Sequence, residues 1–324
     1  MARDRAEALA AASSRDADGG SRGLDRAWIR DQILRHGLFV WFAANSIVGI
    51  GFAARDTTLL YFDARLYLMA TQTWLAGGNP WTVELAGNYY AAPPPSLLPL
   101  VPFALLPLDL GVAVIATLCV ASAIATVRLL RLPWWWLLFP PLVQCLLSAN
   151  VHAVLIPLIL AGAGWLATLL KVYAGVTVVI LGRWRSVIIA MLVLIATIPV
   201  LPWGLYIAQF GEITARLAEQ TKHDIPIVIL LAAAPFVALG LVLVGRERAA
   251  WLAPLALWPS QQYYYGTLAM PTRSQVAAAI IALPVTGSGL FAVAALSVLE
   301  WRDGKRITRP EVTGIRRVLG RSAR

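Results

Sequence analysis

The stretch that decides the predicted fold and function of this chain is residues 55–95, RDTTLLYFDARLYLMATQTWLAGGNPWTVELAGNYYAAPPP. It is polar, aromatic and punctuated by Gly and Pro, whereas the whole chain is 59% hydrophobic and 14% charged, with a mean hydropathy of +0.70. A chain this apolar cannot keep a surface that water solvates, so most of it must be solvated by lipid. The sequence therefore predicts an all-α, polytopic transmembrane helical bundle with a polar loop, residues 55–95, after its first span.

Positive charge is concentrated at the two ends of the chain. The net charge is +10, with seven arginines before the first apolar span and eight basic residues from Arg302 onward. Lys and Arg stay on the cytoplasmic side, so both termini are predicted to be cytoplasmic, with about ten to twelve crossings. The polar loop then lies on the extracytoplasmic side of the plasma membrane. Attraction to anionic membrane lipids explains the basic tails better than nucleic-acid binding does.

Three regions are predicted along the chain. Residues 1–24 have almost no large apolar side chains and are predicted to be a disordered cytoplasmic tail. Residues 25–300 form the transmembrane domain, and residues 301–324 form a basic cytoplasmic tail. Inside the polar loop, apolar residues with helical spacing predict a juxtamembrane helix that begins near Phe62 and ends before Gly77. Several later apolar segments are short or broken, which membranes tolerate where the segments line an enclosed cavity.

The polar loop also carries a recognisable set of residues. Asp63, Tyr67, WLAGGNPW at Trp74–Trp81, Tyr90 and three prolines at Pro93–Pro95 together resemble the first external loop of glycosyltransferase family 87. The resemblance implies the C-type glycosyltransferase fold. It also implies transfer of mannose or arabinofuranose from a polyprenyl-phosphate donor to a glycolipid or polysaccharide acceptor on the outer face.

Three later segments extend this resemblance. Ser148–His152 is similar to a G-Q-x-N segment of the family, and Asn150 is the residue retained from it. Lys171 with the basic turn that follows is similar to a Lys-Pro motif, although Val172 stands in place of the proline. PSQQYYY, residues 259–265, is similar to a late external turn but lacks the histidine common there.

The implied reaction needs a base for the acceptor hydroxyl and cations for the leaving phosphate. Phosphate leaves as a stabilised anion, so one carboxylate suffices and inversion at the anomeric carbon is expected. The resemblance makes Asp63 the general base, and Asp56, which is close in sequence and on the same face, is the second candidate. The alternative for Asp63 is a carboxylate that only favours a helix start. Lys171, an isolated cation between apolar runs, is predicted to hold the donor phosphate with help from Arg65, unless it snorkels to the interface. The predicted sugar- or acceptor-binding residues are Asn150, His152, Gln261, Gln262 and Tyr263.

No metal or cofactor is predicted, because Cys119 and Cys145 lie in apolar surroundings without metal-binding spacing. Two other functions stay open. The first is a transporter or flippase whose broken segments bind a substrate at mid-membrane. The second is an inactive relative that scaffolds envelope enzymes, which the missing histidine suggests.

Overall fold

The computed structural model describes residues 21–221, 226–258 and 262–302. This part of the chain is predominantly helical, which confirms the predicted all-α class. The α-helices are α1 Ser21–Arg55, α2 Phe62–Leu75, α3 Val101–Ala104, α4 Leu108–Leu129, α5 Pro140–Leu147, α6 Leu155–Leu160, α7 Gly164–Leu170, α8 Ala174–Ile180, α9 Trp184–Thr197, α10 Trp203–Ala208, α11 Phe210–Thr221, α12 Ile227–Val244, α13 Arg246–Leu257, α14 Gln275–Ile281 and α15 Ser288–Arg302. Short 3₁₀ helices lie between them at Thr57–Leu59, Pro80–Thr82, Pro94–Leu100, Trp134–Leu138, Val151–Val154 and Tyr263–Thr272.

The described strands form one short hairpin inside the polar loop. Glu84–Leu85 (β1) pairs antiparallel with Asn88–Tyr89 (β2), and Glu84 lies opposite Tyr89. The turn residues Ala86 and Gly87 both have positive φ, 46° and 78°, as two-residue turns require when they match the twist of the strands. The polar loop therefore contains a helix and a hairpin rather than an irregular linker.

Among the residues that the structure describes, two helices are long and apolar enough to cross a membrane, namely Leu34–Arg55 within α1 and all of α4. Shorter apolar helices cover Val151–Leu160, Trp184–Thr197 and Val228–Val244. Large apolar side chains on these helices face outward, and Ile47 in α1 and Leu192 in α9 are 70% and 61% exposed. Proteins in water rarely expose extensive apolar surface, so these helices support membrane association.

Helices α8 and α13 pack against each other in opposite directions. At one end Tyr173, just before α8, packs on Trp258, just after α13, with ring centroids 5.6 Å apart. At the other end Nε of Arg246, the first residue of α13, donates to the carbonyl of Ile180, the last residue of α8, at 2.7 Å. The α8–α13 pair therefore has an aromatic end at Trp258 and a basic end at Arg246.

Lys171 lies at the tip of a helical hairpin formed by α7 and α8. Each of these helices has seven residues, which gives a rise of about 10 Å, against about 30 Å of hydrocarbon in a bilayer. Gly162 and Gly182 flank the base of the hairpin with φ of 89° and 66°, a left-handed conformation that glycine adopts without steric cost. The hairpin thus carries Lys171 only part of the way through the bundle, to the level of α2.

Candidate active site

Asp63 is held where the start of α2 meets the end of α5. The backbone N–H of Tyr61 donates to the carbonyl of Leu147 at 2.7 Å, and the N–H of Asp63 donates to the carbonyl of Ser148 at 3.0 Å. Unpaired N–H groups at one helix start and unpaired carbonyls at another helix end thus satisfy each other. Tyr61 adopts a φ of 57° at this junction. The position of Asp63 is therefore fixed by a helix remote in sequence.

Hydrogen bonds connect Asp63 to Lys171 through two intervening side chains. Nδ2 of Asn150 donates to Oδ2 of Asp63 at 2.9 Å and to the hydroxyl of Tyr67 at 3.0 Å. Nζ of Lys171 donates to the same hydroxyl at 2.8 Å and lies 4.9 Å from the centre of the Tyr67 ring. Tyr67 and Lys171 are 104 residues apart in sequence. The fold thus brings the predicted base and the predicted phosphate-binding cation into one network.

The side-chain amide of Asn150 has its orientation set by the backbone. Its Oδ1 accepts from the backbone N–H of His152 at 2.9 Å, and a backbone N–H can only donate. Nδ2 is therefore the atom that faces the carboxylate of Asp63. The main-chain carbonyl of Asn150 accepts from the thiols of Cys119 and Cys145 at 3.3 and 3.4 Å. The two cysteines thus pack beneath the site and support its backbone.

Removal from water raises the pKa of the Asp63 carboxyl above its ordinary value. Desolvation is the largest cause, and it is opposed by side-chain hydrogen bonds to Asn150 and Ser148 and by the positive charge of Lys171. A raised pKa makes the carboxylate a stronger proton acceptor. The hydrogen bonds of its side chain to Asn150 and Ser148 go beyond the role of a carboxylate that only favours a helix start.

Asp63, Tyr67 and Lys171 line a cavity of about 620 Å³. A cavity of this size suits a small-molecule site, which is usually mostly apolar with a few convergent polar groups. Apolar residues of α1 and α5 form its apolar wall, namely Gly49, Phe52, Ala53, Val143 and Leu147. The cavity therefore places an acid and a cation next to an apolar surface.

Aromatic rings form a further side of this cavity, called here the aromatic wall, and its members are Tyr173, Trp258, Tyr263, Tyr264 and Tyr265. The rings of Tyr173 and Tyr265 are 4.5 Å apart. His152 stacks behind Tyr265 at 5.5 Å with an interplanar angle of 6°. Such rings combine an apolar face with a polar hydroxyl, which suits a sugar.

The structure corrects the predictions for Asp56 and Arg65, because neither lines the cavity. Asp56 caps the Thr57–Leu59 helix and accepts from the N–H of Thr58 at 3.1 Å. Arg65 pairs with Asp109 at 2.8 Å, and the side chain of Asp109 is 85% exposed. Residues two apart on a helix do not share a face, so Arg65 points away from the side on which Asp63 meets the cavity.

Asn150 and His152 also differ from their prediction as sugar-binding residues. Both are fully buried, and neither lines the cavity. Asn150 instead holds the carboxylate of Asp63, while Nδ1 of His152 is hydrogen-bonded to the hydroxyl of Tyr173 at 2.6 Å. Both residues therefore act from behind the cavity surface.

The late external turn supplies part of the cavity lining. Gln262 and Tyr263 are lining residues, and the hydroxyl of Tyr263 donates to the carbonyl of Ala282 at 2.6 Å. Gln261 lies outside the residues that the structure describes. Trp258 and Tyr265 line the cavity as well, although neither is among the predicted site residues.

Tyr67 and Tyr173 are two functional candidates to which the sequence alone assigns no role in the site. Tyr67 is four residues after Asp63 and thus shares its face of α2, a spacing that is visible in the sequence. Tyr173 is two residues after Lys171, but its place in the aromatic wall depends on contacts with α13 and the 263–272 helix. Of these two residues, only Tyr67 could have been identified from the sequence without knowledge of the fold.

Comparisons of this chain with protein-family models, with curated proteins and with solved structures gave no significant match. The likeness to glycosyltransferase family 87 therefore rests on the residues of the polar loop and the three later segments. The function has to be inferred from the chemistry of the site.

Proposed function

We propose that this protein is an integral membrane glycosyltransferase. It transfers mannose or arabinofuranose from a polyprenyl-phosphate donor to a glycolipid or polysaccharide acceptor, with inversion. The observation that carries the proposal is that Asp63 and Lys171 line one cavity and are joined through Asn150 and Tyr67. The reaction needs such a pair, because a carboxylate accepts the hydroxyl proton and a cation stabilises the phosphate.

In the proposed reaction the acceptor hydroxyl attacks the anomeric carbon of the donor sugar. Asp63 takes the hydroxyl proton while the new carbon–oxygen bond forms. The bond between the anomeric carbon and the phosphate oxygen breaks, and its electron pair stays on polyprenyl phosphate. Lys171 stabilises the negative charge that the phosphate gains. Attack opposite to the departing phosphate inverts the anomeric carbon.

The lining of the cavity fits a substrate that is part lipid and part sugar phosphate. The apolar wall includes Gly49, Phe52 and Ala53 of the candidate span Leu34–Arg55. A polyprenyl chain against that wall would bring its phosphate to Lys171 and its sugar to the aromatic wall. A water-soluble nucleotide sugar would leave the apolar wall without an apolar partner.

We further propose a polytopic arrangement of about ten to twelve passes in the plasma membrane, with both termini cytoplasmic and the site extracytoplasmic. The separation of a basic end at Arg246 from an aromatic end at Trp258 supports this orientation. The shortness of α7 and α8 also fits, since broken helices occur at membrane depth where they enclose a cavity. Cysteine labelling from either side of intact cells measures the orientation directly.

Transfer by the purified protein in lipid nanodiscs tests the proposal. Radiolabelled polyprenyl-phosphomannose or polyprenyl-phosphoarabinofuranose is supplied together with envelope lipids as acceptors. We expect a labelled product with a new glycosidic bond and an equal amount of released polyprenyl phosphate. Solute movement across proteoliposomes without any new glycosidic bond would favour a transporter. Equal rescue of a deletion strain by wild type and Asp63→Asn would favour an inactive scaffold.

The pH dependence of transfer reports the environment of Asp63. A general base must be ionised, so kcat falls as the pH drops through its pKa. The fall in kcat at low pH is the acid limb of the pH profile. Because desolvation raises the pKa of Asp63, we expect this limb at a higher pH than in an enzyme whose general base is an ordinary carboxylate. In Asn150→Ala the hydrogen bond that lowers the pKa is lost, so the limb should move to a still higher pH. The measurement is kcat in nanodiscs as a function of pH.

Asn45→Ala is the matched control for Asn150→Ala. Asn45 lines the cavity, but its Nδ2 donates to the carbonyl of Trp41 at 2.9 Å rather than to Asp63. Its acid limb should coincide with that of the wild type. An acid limb of Asn150→Ala at or below the wild-type position would contradict the role given to Asn150.

A further inference from the structure

The hydroxyl of Tyr67 lies at the centre of the site, and its hydrogen bonds can be assigned atom by atom. It accepts from Nζ of Lys171 at 2.8 Å, because an ammonium group can only donate. It also accepts from Nδ2 of Asn150 at 3.0 Å, whose identity as the donor atom follows from the bond between Oδ1 and the N–H of His152. Both interactions therefore use the lone pairs of the Tyr67 oxygen.

The proton of Tyr67 is left for a different partner. Among the residues that the structure describes, the hydrogen bonds of this hydroxyl are the two that it accepts. The residue is 8% exposed, and it lines the cavity together with Asp63 and Lys171. The network thus turns a group that can donate or accept into one that can only donate to whatever occupies the cavity.

We propose that Tyr67 is a catalytic residue that donates a hydrogen bond to a phosphate oxygen of the donor, beside Lys171. This inference rests on the proposed function and deepens it by assigning a second group to the leaving phosphate. The donor phosphate is a diester with one negative charge, and it departs as a monoester with two. Its oxygens therefore become better acceptors as the bond to the anomeric carbon breaks. A donor already fixed in place stabilises that change most in the transition state, and the proton stays on Tyr67 throughout.

Tyr67→Phe tests the assignment, because it removes the hydroxyl and keeps the ring that packs edge-on against Tyr90 at 6.0 Å. We expect kcat to fall about 10²-fold to 10³-fold, as for loss of one preorganised donor. Affinity for polyprenyl phosphate, measured by titration in nanodiscs, should fall about tenfold or more, since a bond to a charged group is lost. Polyprenol, which has no phosphate, should bind as it does to the wild type.

Tyr90→Phe is the matched control. Tyr90 is a neighbouring buried tyrosine whose hydroxyl is bonded to Ser96 at 2.6 Å, and it does not line the large cavity. Its kcat and its affinity for polyprenyl phosphate should stay within about twofold of the wild type, because no contact to the ligand is lost. Wild-type values in Tyr67→Phe would overturn the proposal. Equal loss of polyprenol binding would overturn it too, because the damage would then be to packing.

Replacing Tyr67 with 3-fluorotyrosine covers the case in which the Phe variant does not fold. The fluorinated ring keeps the hydroxyl and makes it a stronger donor, so polyprenyl phosphate should bind at least as tightly as before. Weaker binding would contradict the proposal. Failure of this inference is distinct from failure of the proposed function. Loss of transfer in Asp63→Asn together with full transfer in Tyr67→Phe would leave the glycosyltransferase proposal standing and remove only the role of Tyr67.

Discussion

Asp63→Asn should lower kcat for sugar transfer by about 10³-fold or more, because an amide cannot take the proton of the acceptor hydroxyl. The change keeps the size of the side chain, and the amide oxygen can still accept from Nδ2 of Asn150. Burying a neutral amide is also cheaper than burying the desolvated carboxylate. We therefore expect normal expression and a melting temperature in detergent no lower than that of the wild type. Transfer in nanodiscs and thermal unfolding are the two measurements.

Asp56→Asn is the matched control for this prediction. Asp56 is close in sequence and carries the same group, but it accepts from Thr58 and lies outside the cavity lining. Its kcat should stay within about threefold of the wild type, as expected for the weakened cap of a short helix. Normal transfer by Asp63→Asn, or a comparable loss in Asp56→Asn, would remove Asp63 as the base.

Lys171→Met should raise KM for the polyprenyl-phosphate donor and lower kcat, with a combined loss in kcat/KM of about 10²-fold to 10³-fold. Methionine retains most of the apolar stem, so the packing of the α7–α8 tip is largely kept. The substitution removes the charge that would face the phosphate and the bond to the Tyr67 hydroxyl. Steady-state kinetics with varied donor, together with titration of polyprenyl phosphate, measures both effects.

Arg65→Met supplies the comparison for Lys171→Met. Arg65 is near Asp63 in sequence but pairs with the exposed Asp109, and exposed ion pairs contribute at most about 1 kcal/mol. Donor affinity and kcat should therefore change by no more than about twofold. If Lys171→Met also kept wild-type affinity for polyprenyl phosphate, its ammonium would be a snorkelling group rather than a phosphate ligand.

The polar loop shows which structural features can be predicted from short-range sequence patterns. Apolar periodicity predicts the loop helix, and α2 indeed runs from Phe62 to Leu75. Gly77, which the sequence predicts as a helix stop, follows directly after the cap residue Ala76 and has a φ of 82°. Periodicity and glycine punctuation are local signals, because they depend on which residues share a turn of backbone. Such signals are readable wherever tertiary contacts do not override them.

Which of the charged and polar side chains line the cavity could be decided only from the fold. Arg65 and Tyr67 are both close to Asp63 in sequence, yet only Tyr67 lines the cavity, and Arg65 is bonded to Asp109. The sequence predicts Asn150 as a ligand-binding residue, but the structure buries it completely. Whether a side chain touches a ligand or supports a residue that does depends on which other elements cover it, and no local pattern encodes that.

The amino-acid sequence by itself determined the helical class, the apolar character that supports membrane association and the helix on which Asp63 lies, because composition and short-range periodicity set these features. Only the tertiary structure decided that Lys171 reaches Tyr67 and that Asn150 fixes Asp63. Those contacts join residues that are 104 and 87 positions apart in the sequence. They depend on two short helices stopping part of the way through the bundle and on one helix start capping another helix end, which are properties of packing between remote segments.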